Sequence, residues 1–256
     1  MDGARPCAWA AVAGPRAAGA AARLGARPLA TACGRAHVRA QAAVRRRVVL
    51  AMEADETPAP PSKESVMEMI RSENGGLRAR AVNQARFLDP QECLDVLFVG
   101  AEDKNPQIRY AAVAQLATAC TADPERTFEL VKRIVLTDKE PTVQAAAADV
   151  LTGLSLPGSF ELLEEIYSQT GDWMLKFSII SGLGEMGDPR GYELLLRVLE
   201  TASDDEPLLK VGALGSLGEL GDRRALPMVE KYIDHPDSAI SERAKVARDN
   251  LNAIPE

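Results

Sequence analysis

A segment of 16 residues occurs twice in this chain, 34 residues apart. LKFSIISGLGEMGDPR spans Leu175–Arg190, and LKVGALGSLGELGDRR spans Leu209–Arg224. Self-similarity at a fixed spacing of a few tens of residues is typical of solenoids, in which each unit buries its apolar face only against its neighbours. The repeat therefore predicts a stack of similar units, an architecture that more often carries a binding surface than a catalytic centre.

Each unit has the pattern of two helices. An apolar residue, here called the anchor, opens the second helix, and apolar residues follow it at four-residue spacing on one helix face. No stretch shows the strict alternation of a half-buried strand. We therefore predict an all-α fold, a right-handed α-solenoid of about six antiparallel helix pairs. The anchors are Leu77, Ile108, Val143, Leu175, Leu209 and Ile240.

The dipeptide Gly-Asp joins two successive units, at residues 187–188 and 221–222. Glycine can adopt the left-handed conformation that ends a helix, and aspartate can cap the next helix. Glu185 and Glu219 precede the two aspartates at the same three-residue spacing. Because a catalytic carboxylate pair is needed once and a cap is needed in every repeat, we interpret these pairs as helix caps.

Residues 1–52 differ sharply from the rest of the chain. They contain nine arginines, no lysine and one acidic residue, together with much alanine. This composition is typical of a disordered organelle transit peptide, and the apolar runs are too broken by Pro15 and Arg23 for a secretory signal. The segment VRAQAAV, residues 38–44, resembles the cleavage region of algal plastid leaders. We expect localisation to the chloroplast, with the mitochondrion as the alternative.

The remainder of the chain is acidic. Residues 53–62 are rich in acidic residues and proline, which predicts a solvated linker before a repeat domain at 63–254. After residue 52 there are 21 basic and 36 acidic residues, a net charge of −15. Nucleic acid is therefore not an expected partner, since its phosphates are bound by lysine and arginine. No apolar run is long enough for us to predict a transmembrane segment.

Residues that usually carry chemistry are scarce. Beyond the leader, Cys93 and Cys120 stand alone and are predicted to be small buried apolar residues. His235 is the only histidine there, which argues against histidine-dependent triads and multi-histidine metal sites. We predict no metal and no cofactor, and a binding module rather than an enzyme.

Two segments carry a resemblance to a known family. Asn105–Ala119 and Glu206–Pro227 resemble HEAT repeats, of the subgroup found in E/F-type bilin lyases and NblB-like phycobilisome-degradation proteins, and the likeness covers nearly all of residues 62–254. It implies that the second helices line a concave side where a protein partner binds, and that a second subunit can join the chain in a heterodimer. Gln144 and Ser241 replace the basic residue that the family keeps after the anchor, which argues against a continuous ladder of Asp–Arg contacts.

The concave surface predicted from this resemblance holds the candidate site. Counting the anchor as position one, positions three, seven and ten of each second helix should face outward. The middle of this surface is small and nearly uncharged, which indicates that a partner helix or a flat ligand such as a tetrapyrrole covers it. The alternative is a register one residue off, with these residues in the core. The candidates are Arg86, Tyr110, Ala114, Asp149, Phe177, Ser181, Val211 and Gly215.

Two readings of function follow. The first is a plastid HEAT-repeat adaptor for a protein partner, such as a phycobiliprotein or a photosystem-related protein, in assembly or turnover of the light-harvesting apparatus. The resemblance implies the alternative, a bilin lyase subunit that attaches or detaches a chromophore on a phycobiliprotein. Trp173, just ahead of a second helix, is either a buried wedge between units or an exposed interface anchor.

Overall fold

The computed structural model describes residues 61–119, 122–203 and 205–254, so the predicted leader and most of the linker lie outside the described residues. The chain divides into residues 1–60 and 61–256. The described part has twelve α-helices and no strand, which confirms the all-α solenoid. The helices are α1 (Lys63–Ile70), α2 (Gly75–Ala85), α3 (Pro90–Gly100), α4 (Pro106–Ala119), α5 (Pro124–Thr137), α6 (Pro141–Leu154), α7 (Ser159–Gln169), α8 (Trp173–Met186), α9 (Gly191–Thr201), α10 (Pro207–Leu220), α11 (Leu226–Glu230) and α12 (Ser238–Asn252).

The helices form six consecutive pairs, as the anchor spacing predicts. The odd-numbered helices form one layer, here called the first-helix layer, and the even-numbered helices form the second-helix layer. Successive second helices pack closely from α4 to α12, whereas successive first helices make few contacts with each other. The core lies between the two layers.

The turns between units follow the predicted chemistry. Gly187 and Gly221 adopt φ values of 67° and 76° and end α8 and α10. The carboxylates of Asp188 and Asp222 accept the backbone N–H two residues further on, at 2.9 and 3.0 Å. Asp222 thus caps the 3₁₀ turn Arg223–Ala225 that leads into α11, whereas Asp188 stabilises the turn before α9, whose N-cap is Arg190 without a side-chain cap. The glutamates that precede the two aspartates lie instead on the exposed face of their helices.

Five of the six anchors are buried in the core, at 3% exposure or less. The prediction is wrong for Leu77, which is 38% exposed. The reason is its place in the stack: α2 belongs to the first pair of the described residues and contacts helices only on one side. The next residue, Arg78, is buried in its place.

Small residues allow the second helices to approach each other. A Cβ atom added to Gly182 of α8 would lie 2.3 Å from the side chain of Thr152 in α6. At Gly218 of α10 it would lie 2.8 Å from the Cα of Ala247 in α12. Such distances are far inside van der Waals contact, so a larger residue at either position would clash with the neighbouring helix and glycine is required.

Ion pairs join neighbouring helices of the first-helix layer. Lys63 of α1 contacts Asp95 of α3 at 3.0 Å, and Arg133 of α5 reaches the exposed Glu102 at 2.6 Å. Guanidinium groups also stack on aromatic rings of the preceding unit, always 4.4 Å from the ring centre. The stacked pairs are Arg126 on Phe98, Arg190 on Phe160 and Arg224 on Tyr192.

Two more enclosed ion pairs link the first three units. Arg78 binds Asp103, and Arg109 binds Asp138 through two nitrogens at 2.8 Å each. Burial opposes the charged form of Asp138, but the hydrogen bonds from Arg109 and from backbone N–H groups outweigh it, so the pKa of Asp138 lies below its ordinary value. The third unit has Gln144 at the equivalent position.

We expect Gly218→Ala to destabilise the fold, although alanine is the better helix former. The added methyl group forces α10 away from Ala247, and overpacking of this kind costs about 1–3 kcal/mol. Gly153→Ala in α6 is the matched control: its Cβ would meet nothing within 4 Å, so helix propensity alone should stabilise it by up to about 1 kcal/mol. Chemical denaturation followed by circular dichroism measures both. Equal effects of the two substitutions would contradict the packing argument.

We expect Asp138→Asn to lower the free energy of unfolding by about 1.5–3 kcal/mol at pH 7, the usual contribution of hydrogen bonds to a charged group. A carboxylate with a depressed folded pKa stabilises the fold above its unfolded pKa of about 3.9, and this contribution disappears as the pH falls through the folded pKa. The difference from wild type should therefore persist to about pH 4 and vanish below it. Glu129→Gln, at an exposed position of α5, should show no such change.

Candidate protein-binding surface

The second helices keep one face open to solvent, at every fourth residue from the first turn, with Ala145 of α6 as a buried exception. Four residues turn a helix by about 400°, so successive members of such a series drift by only about 40°. In α8 the series combines half-exposed and exposed residues with no fully buried one. Its members are Trp173, Phe177, Ser181 and Glu185.

The eight candidate residues lie on these faces. None of the eight is fully buried in the structure. Arg86, Tyr110, Ala114 and Asp149 are exposed, and Phe177, Ser181, Val211 and Gly215 are partly buried. They belong to α4, α6, α8 and α10, apart from Arg86, which directly follows α2.

Other positions that we expected on this surface are in the core. Position ten is three residues beyond position seven, which rotates it about 60° towards the neighbouring helix, whereas position eleven continues the exposed series. Glu185 and Glu219, at position eleven, are accordingly exposed. Sequence reasoning missed both, although the four-residue spacing itself was the signal. The buried residues are Ala145, Thr152, Gly184 and Gly218.

Large apolar side chains, three of them exposed and two partly buried, lie on this surface, and we call them the apolar row. The described structure places Trp173 51% exposed, which favours the interface anchor over the buried wedge. The ring of Phe177 reaches α10, where its Cε2 lies 3.2 Å from the position of a Cβ on Gly212. The row consists of Tyr110 of α4, Trp173 and Phe177 of α8, and Leu208 and Val211 of α10.

Carboxylates lie nearer the C-terminal ends of the same helices, and we call Asp149, Glu185 and Glu219 the acidic row. Ser178 of α8 donates its hydroxyl to the carboxylate of Asp149 in α6. Glu219 of α10 folds over Gly184, with Oε2 2.9 Å from the position of a Cβ there. The three carboxylates therefore approach each other across neighbouring helices.

The acidic row creates a negative potential on the surface. Burial raises the pKa of Asp149, the hydrogen bond from Ser178 opposes this, and the charge of Glu185 raises it further. Burial and Glu185 also raise the pKa of Glu219, against the effect of Arg243. Asp149 is exposed on one side, and the burial that raises its pKa comes from protein atoms packed around the other side of its carboxylate. Both carboxylates are thus held in an environment that disfavours their charge.

The family model for HEAT repeats matches residues 64–152 and 128–208, which together exceed half of the chain. The chain is a HEAT-repeat protein. The helix pairs of this HEAT array continue beyond the matched residues to Asn252. No curated protein is similar enough to the chain to count as a match.

Solved structures share the fold at low identity. The complex of CpcE and CpcF of phycocyanin lyase from Nostoc sp. PCC7120 is 16% identical with a TM-score of 0.52, over 64% of this chain and 65% of that one. The HEAT array thus spans slightly less than two thirds of that chain. An engineered protein is 13% identical with a TM-score of 0.51, over 75% of this chain and 98% of that one. At such identities the likeness concerns the fold alone.

The described part of the HEAT-repeat protein has little that could bind a metal or act as a nucleophile. It contains no cluster of three or more histidine, cysteine or acidic side chains placed to hold a metal ion. Cys93 is buried as predicted, and burial raises the pKa of its thiol, whereas Cys120 lies outside the described residues. None of the described helices is long and apolar enough to cross a membrane.

We expect Asp149→Asn to raise the midpoint of thermal unfolding at pH 7.5. Because the folded pKa of Asp149 is raised, ionisation above that pKa favours the unfolded chain, and asparagine removes the charge while still accepting the hydrogen bond from Ser178. Stability of the wild type should recover as the pH falls through the raised pKa, so the two proteins should converge towards pH 4. Scanning calorimetry at several pH values measures this, with the exposed Asp205→Asn as control. A lower midpoint for Asp149→Asn at pH 7.5 would refute the electrostatic assignment.

Proposed function

We propose that this HEAT array is an adaptor that binds a protein partner through the apolar row of its second-helix layer. The observation that carries the proposal is the half-exposed Trp173 beside Phe177, Leu208 and Val211 on two adjacent helices. Trp173 and Leu208 are half-exposed, and Phe177 and Val211 pack against the core with one side while the other side faces solvent. Tryptophan and tyrosine dominate the binding energy of many protein interfaces, and contiguous exposed apolar side chains usually mark such surfaces.

We further propose that the adaptor acts in the plastid, in assembly or turnover of the light-harvesting apparatus. The arginine-rich composition of residues 1–52 supports import into an organelle, and the resemblance of 38–44 to algal plastid leaders favours the chloroplast over the mitochondrion. The likeness of the repeats to phycobilisome-related proteins supports a partner that is a phycobiliprotein or related to a photosystem.

Affinity capture with the tagged full-length chain tests this proposal. Wild type and variants are incubated with plastid stroma and solubilised thylakoids, and bound proteins are located on the chain by chemical cross-linking and mass spectrometry. We expect a pigment-bearing or photosystem-related protein, cross-linked to the second-helix layer, whose capture falls at least tenfold with Trp173→Ala. Leu136→Ala is the matched control, since Leu136 is also 51% exposed but lies in the first-helix layer.

Two outcomes would overturn the proposal. Capture that is equal for wild type and Trp173→Ala removes the apolar row from the interface. Capture of mitochondrial proteins alone, from a whole-cell extract, removes the plastid role.

The alternative is a bilin lyase subunit that works with a second subunit as a heterodimer. The fold shared with the CpcE and CpcF complex of phycocyanin lyase motivates it, and the apolar row offers aromatic side chains on which a flat tetrapyrrole could stack. Incubation of the full-length chain with a bilin and an apo-phycobiliprotein separates the two functions. An adaptor leaves the acceptor colourless, whereas covalent transfer of colour that requires Trp173 would replace the adaptor by the lyase.

A further inference from the structure

The exposed charges carried by α4, α6, α8 and α10 all have one sign. The structure describes every residue of α4, α6, α8 and α10, and the only exposed charged side chains in these four helices are the three carboxylates of the acidic row. Glu219 lies over α8 and Asp149 is tied to α8 through Ser178. The negative charge therefore runs across the helices, parallel to the apolar row.

Acidic residues also border the opposite edge of the apolar row, at the N-terminal ends of the same helices. Glu140 directly precedes α6, and Asp172 caps α8 by accepting the N–H of Leu175 at 2.9 Å. Asp205 is exposed in the turn before α10. The apolar row thus lies between two acidic edges.

Arg243 of α12 lies against Gly215 and partly offsets the negative charge of Glu219, whereas the other basic residues of this region are engaged elsewhere. Residues 141–220 contain 13 acidic and 4 basic side chains, a net charge of −9. Arg190 and Arg197 form ion pairs with Glu161 and Glu164 in the first-helix layer. Of the two lysines, Lys210 is buried and Lys176 lies over the ring of Tyr167.

The dimensions of the surface fit a helix laid across the second helices. Packed helices lie about 8–10 Å apart, so the row, which has members on α4, α8 and α10 but none on α6, extends for about 30 Å. This is the length of a helix of about 20 residues. In a helix, residues seven apart share a face and lie about 10 Å apart, one step of the array. A strand covers about 10 Å in three residues, but three is an odd number and places successive contacts on opposite faces.

We infer that the occupant of this surface is an amphipathic helix of about 20 residues, whose apolar stripe seats on the apolar row and is flanked on both sides by lysine or arginine. The inference rests on the proposed function and names the chemistry of the partner. A neutral or acidic helix would cover the carboxylates without partners for them, whereas cations satisfy them and steer the approach. Long basic side chains can also bury their stems along the apolar edge while their charged ends reach the carboxylates.

Designed peptides test the inference on the full-length chain. The probe is a fluorescein-labelled helix of 20 residues built from leucine, alanine and lysine, with leucines on one face and lysines beside them. One control replaces every lysine by glutamate, and a second has the same composition as the probe but distributes its leucines around the helix. Fluorescence anisotropy at 50 mM salt should give a Kd for the probe at least tenfold below that of either control, and the advantage over the glutamate peptide should shrink at 500 mM salt.

Variants of the chain assign the binding to this surface. We expect Trp173→Ala to weaken binding of the probe at least tenfold, and Glu185→Gln combined with Glu219→Gln to weaken it several-fold and to flatten its salt dependence. Leu136→Ala and Glu129→Gln in the first-helix layer are the matched controls and should bind like wild type. Circular dichroism spectra confirm that each variant is folded.

The results separate this inference from the proposed function. Equal affinity for the lysine and glutamate peptides, or an unchanged Kd in the double glutamine variant, overturns the basic helix. Equal affinity for the peptide with distributed leucines overturns the apolar contact. If a natural partner is still lost with Trp173→Ala while the lysine peptide does not bind, the adaptor function stands and the basic helix fails.

Discussion

The structure depends on the close approach of neighbouring second helices. Gly182 faces Thr152, Gly184 faces Ser216, and Gly218 faces Ala247, each at a distance that leaves no room for a Cβ atom. A hydroxyl group reinforces one of these joints, since Ser216 donates to the backbone carbonyl of Ile180 in the preceding second helix. This packing fixes the height and rotation of each helix against the next and thereby aligns their exposed faces.

The alignment turns separate residues into a surface. Exposed residues spaced four apart on a single helix are ordinary. When such faces are aligned on α4, α6, α8 and α10, they produce an apolar row and an acidic row that run across the array. Asp149 is disfavoured as a charge where it lies, and a protein that only needed stability would have little reason to keep it. Groups of this kind are common where a surface must recognise something else.

The sequence alone predicts the helix pairs, because the anchors and the duplicated segment repeat a local pattern that each unit must satisfy. It also predicts the caps at Gly187 and Gly221 and the interruption of the Asp–Arg pairs at Gln144. It fails at Leu77, since the repeat pattern does not record that this unit is the first of the described helices and packs against them on one side only. It also places the third exposed position one residue too early, so that Gly184 and Gly218 are assigned to the surface and the adjacent glutamates are missed. Those glycines differ from surface residues only through the helix opposite them, and a single sequence does not specify that contact.

The helices within the two layers are held together by contacts of different stiffness. Contacts between backbones resist any change of spacing, because repulsion rises steeply within a few tenths of an ångström. The guanidinium, carboxylate and ring contacts of the other layer are solvated, individually weak, and screened by dissolved ions. When the array bends, the spacing of the second helices should therefore stay constant, and the distances between first helices should increase or decrease. The curvature of the array can thus adapt to a partner while the apolar row and the acidic row keep their arrangement.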